Sequence, residues 1–375
     1  MAAQAAARAL ARVSVGAVER NCAHLDSLLV GGAELCAVVK SDGYGHGAVE
    51  CARAAQRGGA TWLAVAAAGE AALLRAAGLT GPLLTMGSLT RQETATALAA
   101  DADIVVWEPE FARALAERVG ESGPPARVHV KLDSGMGRLG AIDPTQARAV
   151  ADVAAADERL ELVGLMTHFA TADEPGDDHF PAQLGRFTAF ADELRAVHPA
   201  LLIHAANSAA VYRDRASHFD MARCGVAIYG LDPFQEDPAT HGLEPALALE
   251  VAVGAVRRFD PGWSAGYGQR WKADGPTWVA TLPIGYGDGW RRALTNDCDV
   301  LIGGRREPLV GTVSMDNVTV ALGAETAVAP GDAAVLIGSQ DGERILAEEV
   351  ARRLGTINYE ITCGLTARVP RTYEP

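Results

Sequence analysis

Residues 35–87 read LCAVVKSDGYGHGAVECARAAQRGGATWLAVAAAGEAALLRAAGLTGPLLTMG, and their rhythm decides the fold. Short β-rich runs, Leu35–Val39, Trp62–Ala66 and Leu83–Met86, alternate with longer alanine- and leucine-rich stretches, Ala48–Gln56 and Gly69–Ala76, that have helical character. The alternation continues through Ile104–Trp107, Val128–Leu132, Leu162–Thr167, Leu201–Ala205 and Ala222–Tyr229, with helical patterns such as Pro109–Val119 and Gln183–Val197 between them. Eight strands with intervening helices predict an α/β fold, a (β/α)8 TIM barrel, over residues 1–243. Periodicity does not show closure, so an open doubly wound sheet is the alternative on the same residues.

The pattern changes near Glu244. Helices become scarce, and Leu249–Arg258, Trp278–Pro283, Val310–Thr312, Val318–Leu322 and Ala333–Ile337 are strand-like runs broken by Gly, Pro and Asp. Residues 244–375 therefore read as a mainly β C-terminal domain with one late helix, Ala347–Leu354. A chain of 375 residues suits two domains. No internal repeat shows beyond the βα alternation.

With 49% hydrophobic residues the chain can build a large core without disulfides. Its net charge of −14 argues against nucleic acid and anionic membrane surfaces, both of which call for basic patches. The six cysteines form no C-x-x-C pair and have no zinc-site spacing, so no metal is expected. They read as mostly buried thiols of a reducing, cytoplasmic compartment. Met1–Arg12 lacks a basic start and a long apolar run and makes a poor signal peptide. No run of about 18 apolar residues is free of charge, so no membrane span is expected.

Barrel enzymes place their chemistry at the C-terminal ends of the strands. Lys40 closes the first strong strand in AVVKSDGYGHG, and a desolvated lysine suits Schiff-base chemistry. Taken alone, a lysine there is more often a solvated edge residue. Gly43, Gly45 and Gly47 add a tight turn, and Tyr44 and His46 add polar reach. VHVKLDSGMGRLG carries Lys131 on the fifth strand and Arg138 in a glycine-rich loop, which could equally be a surface loop. His168 follows the sixth strand in LMTHFATAD, where a lone histidine is more often structural. Asn207 and Ser208 follow the seventh in HAANSAA, where capping of the next helix is the better isolated reading. ARCGVAIYG places Arg223 beside Gly225, the kind of pairing with which barrels hold a phosphate.

Each of these signals is modest, but five at successive strand ends are not. In order and over nearly the whole chain, these segments resemble the alanine racemase family of fold-type III pyridoxal-phosphate enzymes. The later segments agree: GYG at 266–268, PIGYGDGWRR at 283–292, GTVSMDN at 311–317 and NYEITCGLTARVPR at 358–371. The resemblance implies interconversion of L- and D-alanine with pyridoxal 5'-phosphate as cofactor, supplying D-alanine for peptidoglycan. By it, Lys40 carries the cofactor. Tyr44, Asn207, Ser208, Gly225, Val226 and Tyr359 hold it, mostly through the phosphate. Arg223 faces the pyridine nitrogen, which stays largely unprotonated because arginine keeps its proton. That weakens the electron sink and discourages transamination.

The resemblance also implies a homodimer with shared active sites, in which the second domain completes the partner subunit's site. Tyr267 is then a second base, opposite Lys40, reaching in from the partner. His168 lies between that tyrosine and Arg223. Arg138 contacts the cofactor's phenolic oxygen and the substrate carboxylate, and Lys131 is carbamylated and orients Arg138. The Met315 backbone amide, with Asp316 beside it, binds the substrate, and Tyr286 narrows the entry toward small side chains. Ser41, Gly43 and Gly287 stand where the family usually has alanine. Ser264 is separated from Tyr267 by two residues where serine usually precedes the tyrosine directly, and Ser314 stands where cysteine or serine is found. Rival readings are a fold-type III amino-acid decarboxylase, a non-catalytic pyridoxal-phosphate-binding regulator, and a racemase of serine or another small amino acid. Arg223 argues against the first and the domain carrying Tyr267 against the second.

Overall fold

A computed structural model describes residues 8–119 and 123–375. The alanine-rich start of the Met1–Arg12 stretch, residues 1–7, lies outside the described residues. The first strand is β1 (Ala9–Ser14). Eight strands follow: β2 (Glu34–Val38), β3 (Trp62–Val65), β4 (Leu83–Thr85), β5 (Asp103–Val106), β6 (Ala126–Lys131), β7 (Leu160–Met166), β8 (Leu202–His204) and β9 (Met221–Cys224). They pair in parallel in chain order, and β9 returns to β2 with Glu34 opposite Met221. The barrel is closed, which excludes the open sheet.

The strands read as short apolar runs because both their faces are covered. Between them the helices bury small residues: in Ala48–Arg57 these are Ala48, Cys51, Ala52, Ala54 and Ala55, the helical spacing of one face. The helix Pro144–Ala156 starts on an Asp143 side chain that accepts from Gln146 N, with proline in its first turn. Ala222–Tyr229, read as one strand, stops at Cys224. After Gly225 the chain tightens into a 3-10 turn, Val226–Tyr229.

The chain divides into two compact units: residues 18–44 with 48–228, which hold the barrel, and residues 1–17, 45–47 and 229–375. Beside the boundary expected between 243 and 244, this grouping sets β1 with the later residues. The cause is β1, which pairs antiparallel with Leu247–Ala252 and parallel with Arg371–Glu374. Its alternate residues are buried, the period of a strand covered on one face. The second unit is built on a ten-stranded, largely antiparallel sheet. Leu249–Arg258 splits into Leu247–Ala252 and Ala255–Phe259 around Gly254. Val310–Thr312 is only the end of Arg305–Val310, because Gly311 turns left-handed at φ 79° against the Ala265 carbonyl. Ala347–Leu354 is a helix. Among the described residues no helix is long and apolar enough to cross a membrane.

Candidate active site

The C-terminal ends of the barrel strands collect most of the residues singled out in sequence. Lys40 lies two residues beyond β2, half-buried, with Nζ 6.0 Å from the centre of the Tyr44 ring. The chain between them is a left-handed turn: Ser41, Asp42, Gly43 and Tyr44 have φ of 54°, 51°, 61° and 53°. Of these, the L-residues Ser41, Asp42 and Tyr44 sit above their relaxed backbone energy by about 1–2 kcal/mol each, whereas Gly43 is at ease there, so the turn is held from outside. Ser41 N donates to Glu70 Oε1 at 2.6 Å, and Asp42 Oδ1 accepts from Ala48 N at 2.9 Å, the start of the next helix.

Ser208 and Gly225 form a second wall. Ser208 Oγ accepts from Gly225 N at 3.1 Å and from Ala227 N at 3.4 Å. A Cβ on Gly225 would stand 2.3 Å from Tyr44 Oη, so only glycine leaves the phenol its place. Asn207 caps the short helix Ser208–Arg213 through Ala210 N, the structural role the sequence offered for it. Hydroxyls, a small-residue cradle and a half-buried amine are the donor set a phosphorylated aldehyde would need, and the residues present fit such a group.

Arg223 is 3% exposed on β9. It donates to His204 Nδ1 at 2.8 Å and to the carbonyls of Thr167 at 2.8 Å and Ala205 at 3.0 Å, with His168 Nδ1 3.4 Å away. Burial lowers its pKa to about 10, so it stays charged at neutral pH. His168 is half-buried by surface area. Desolvation, then the charges of Arg223 and Lys131, push its imidazole well below the usual range. Lys131, 4% exposed at the end of β6, falls to about 8, chiefly through burial and then through the charges of Arg223 and Arg138. Asp133, two residues on, is turned to its own loop: Oδ1 accepts from Gly135, Met136 and Gly137 and Oδ2 from Arg138 N. Arg138 itself is exposed on that loop.

The other sequence candidates lie in the second unit. Tyr267 is 74% exposed on the turn Tyr267–Gln269, and its carbonyl accepts from Thr312 Oγ1 at 2.7 Å. Together with Gly266, Thr312, Ser314, Asn317, Val318 and Thr319 it lines an open groove of about 350 Å³. Tyr286 and Met315 are also exposed, on adjoining loops joined by Tyr286 N to Ser314 O at 3.1 Å and Gly287 N to Met315 O at 2.9 Å. Asp316 accepts from Arg368 at 2.5 Å. Tyr359 lies on the helix Asn358–Cys363, whose first residue binds the buried Glu348.

Sequence reasoning passed over His129, His204 and Asp103, three buried polar residues on β6, β8 and β5. The available signal was strand parity. His129 is two residues from Lys131 and shares its face of β6. Among the described residues no group of three His, Cys, Asp or Glu side chains could hold a metal ion.

Residues 13–233 match the sequence model of the alanine racemase N-terminal domain, and residues 246–373 that of the alanine racemase C-terminal domain. An alanine racemase of Frankia casuarinae is 43% identical over 353 residues, covering 92% of this chain and 90% of its own. That of Symbiobacterium thermophilum is 41% identical over 365 residues, with coverage of 97% and 96%. Among solved structures, the alanine racemase of Bacillus anthracis with bound L-Ala-P superposes with a TM-score of 0.92 at 35% identity, covering 98% of this chain and 95% of that one. That of a D-cycloserine-producing Streptomyces lavendulae gives 0.92 at 35% identity, with coverage of 99% and 98%.

Proposed function

The chain belongs to the alanine racemase family, and from that premise we propose that it interconverts L-alanine and D-alanine with pyridoxal 5'-phosphate, supplying D-alanine for peptidoglycan. The observation that carries the reading is local: Lys40 stands at a barrel strand end beside the Ser208–Gly225–Tyr44 cradle, with the buried cation Arg223 on β9. When bound, the cofactor supplies the electron sink that lets an α-proton leave.

Lys40 holds the cofactor through Nζ and moves the α-proton on one face of the substrate. Ser208, Tyr44, Gly225 and Val226 seat the phosphate, with Asn207 fixing the Ser208 helix and Tyr359 contributing its phenol. Arg223 donates toward the pyridine nitrogen without giving up its proton, which keeps the sink weak and the reaction a racemisation. Arg138 binds the substrate carboxylate, and a carbamylated Lys131 orients it. Tyr267 of a partner subunit moves the proton on the opposite face, with His168 linking it to Arg223. The Met315 amide and Asp316 complete the carboxylate site, and Tyr286 restricts it to small side chains. The exposure of Tyr267, Tyr286 and Met315 supports a homodimer in which these residues are covered.

The test is chiral chromatography of each enantiomer of a panel of amino acids after incubation with the purified protein and pyridoxal phosphate. L- and D-alanine should each reach an equal mixture. Faster racemisation of serine would move the substrate assignment, and amine formation with loss of carbon dioxide would replace the reading by a decarboxylase.

A further inference from the structure

Arg223 is a buried cation with no carboxylate within 4 Å among the described residues. Its counter-charge lies further off, along a chain of hydrogen bonds whose direction the chemistry fixes. A guanidinium only donates, so His204 Nδ1, 2.8 Å from Arg223 Nη1, accepts, and the His204 proton sits on Nε2. That Nε2 is 2.9 Å from His129 Nδ1, which must therefore accept as well. His129 Nε2 then carries the proton and donates over 3.0 Å to Asp103 Oδ2. The four side chains are at most 3% exposed. Asp103 is anchored at its other oxygen by Arg127 Nε at 2.5 Å, and both residues line a cavity of about 650 Å³.

The sequence reserves space for this chain. Gly164, opposite His129 on β7, could not carry a side chain, because a Cβ there would stand 2.0 Å from His129 Nδ1. The two imidazoles meet edge to face, at 80° with centres 5.0 Å apart, a separation that one ring nitrogen donating to the next gives.

We propose that Asp103 is the counter-charge of Arg223, and that His129 and His204 form a relay of fixed tautomers that orients the guanidinium and holds it in its charged form. None of the three touches substrate or cofactor; they are positioning residues. Two neutral imidazoles polarised by a carboxylate at one end and a cation at the other strengthen every bond between them. The other groups facing Arg223 in the barrel work against its charge or leave it alone. Lys131 opposes it whenever its amine is an unmodified ammonium, its carbamate being committed to Arg138 in the proposed function, and Arg138 and Lys40 act on the same cluster. His168 is held neutral by burial, and the thiols of Cys36 and Cys224 are pushed up by burial and stay protonated. Asp103 thus supplies, at a distance, a negative charge that reaches Arg223 through its own hydrogen bonds.

The inference rests on the proposed placing of Arg223 at the cofactor only for its effect on the reaction, so two measurements separate them. In ¹⁵N-histidine NMR of the wild-type protein without added cofactor, His129 and His204 should both show protonated Nε2 and bare Nδ1 from pH 6 to 9. In Asp103→Asn the neutral guanidine gains ground, so the alkaline limb of kcat/KM should move to lower pH. The shift is on the order of one unit for a charge this far away at an effective dielectric of about 20. Gly164→Ala, which displaces His129 without changing any charge, should move it in the same direction. A protonated Nδ1 on either histidine would overturn the relay. So would a folded Asp103→Asn protein with an unmoved limb. If the wild-type protein racemises no amino acid, the functional reading falls while the tautomers still judge the relay.

Discussion

Lys131 shows how far a single side chain is governed by its surroundings. Its amine is buried at a strand end, opposed by the charges of Arg223, Arg138 and Lys40, and Asp133 is its one favourable charge. That carboxylate is already taken by four backbone N–H groups. With its pKa lowered to about 8, about half of the Lys131 amine is unprotonated at pH 8, against well under one per cent of an ordinary lysine. Carbon dioxide adds only to the unprotonated amine, so the environment that disfavours the ammonium favours a carbamate, whose negative charge can accept from a guanidinium. Protein equilibrated with ¹³C-bicarbonate at pH 8 should therefore show a carbamate carbon resonance. It should fade below pH 6 as the amine protonates, and it should be missing from Lys131→Met. A bare ammonium at pH 8 would reject the modification. At this scale the sequence was legible in part. Lys40, Lys131, His168 and Arg223 stand out as residues at or just past strand ends, and Arg138 shows through its glycine-rich loop. The pairing of His129 with His204 does not, because 75 residues separate them and they meet, at 2.9 Å, only across the intervening strand β7.

Among the elements, the left-handed turn after β2 gathers three L-residues at positive φ. The glycines at 43, 45 and 47 announce a tight turn, yet Ser41, Asp42 and Tyr44, which L-residues seldom hold at positive φ, share it. What holds them is remote. Glu70 accepts Ser41 N on one oxygen at 2.6 Å and Ala66 N and Ala67 N on the other at 2.9 and 3.1 Å. The same carboxylate thus caps the helix Ala68–Ala76 and pins the turn that carries Lys40. Glu70→Gln keeps the size but turns one acceptor into a donor, so one end must face an N–H with an N–H. The loss should be at least about 1 kcal/mol, felt first as faster amide hydrogen exchange at Ser41, Ala66 and Ala67. Unchanged exchange at all three would show that the turn stands without the carboxylate. The barrel strands themselves were readable from their apolar runs to within a few residues. This clamp was not, because a glutamate in the first turn of a helix looks the same whether it serves its own helix alone or also a turn 29 residues away.

At the scale of the whole molecule, the two units differ in what they leave open. The barrel unit buries Arg223 and Lys131 and exposes Leu73, Ile142 and Val197, which are aliphatic, whereas the other unit exposes Trp263, Tyr267, Tyr286, Met315 and Ile357, at 41% or more each. The sequence announced that second unit by its change of rhythm but hid its first strand. β1 is a short run whose alternating burial has meaning only once Leu247–Ala252 and Arg371–Glu374 flank it. Where exposed apolar side chains adjoin, they are what a partner covers, and a second copy of the chain is the occupant the proposed function requires. If each site takes Lys40 from one subunit and Tyr267 from the other, Lys40→Ala and Tyr267→Ala homodimers are each defective at both sites. Each should lose about 10²–10⁴ in rate, the contribution of a positioned acid–base group. Mixing them after subunit exchange gives a heterodimer with one doubly damaged site and one intact site. Random exchange makes about half the dimers mixed, so activity should return to about a quarter of the wild-type level, as two-fold symmetry dictates. Exchange is verified by native mass spectrometry of differently tagged chains. Heterodimers present in that proportion without any recovery would mean that both residues serve the site of one chain. The exposed phenol of Tyr267 would then need a different explanation.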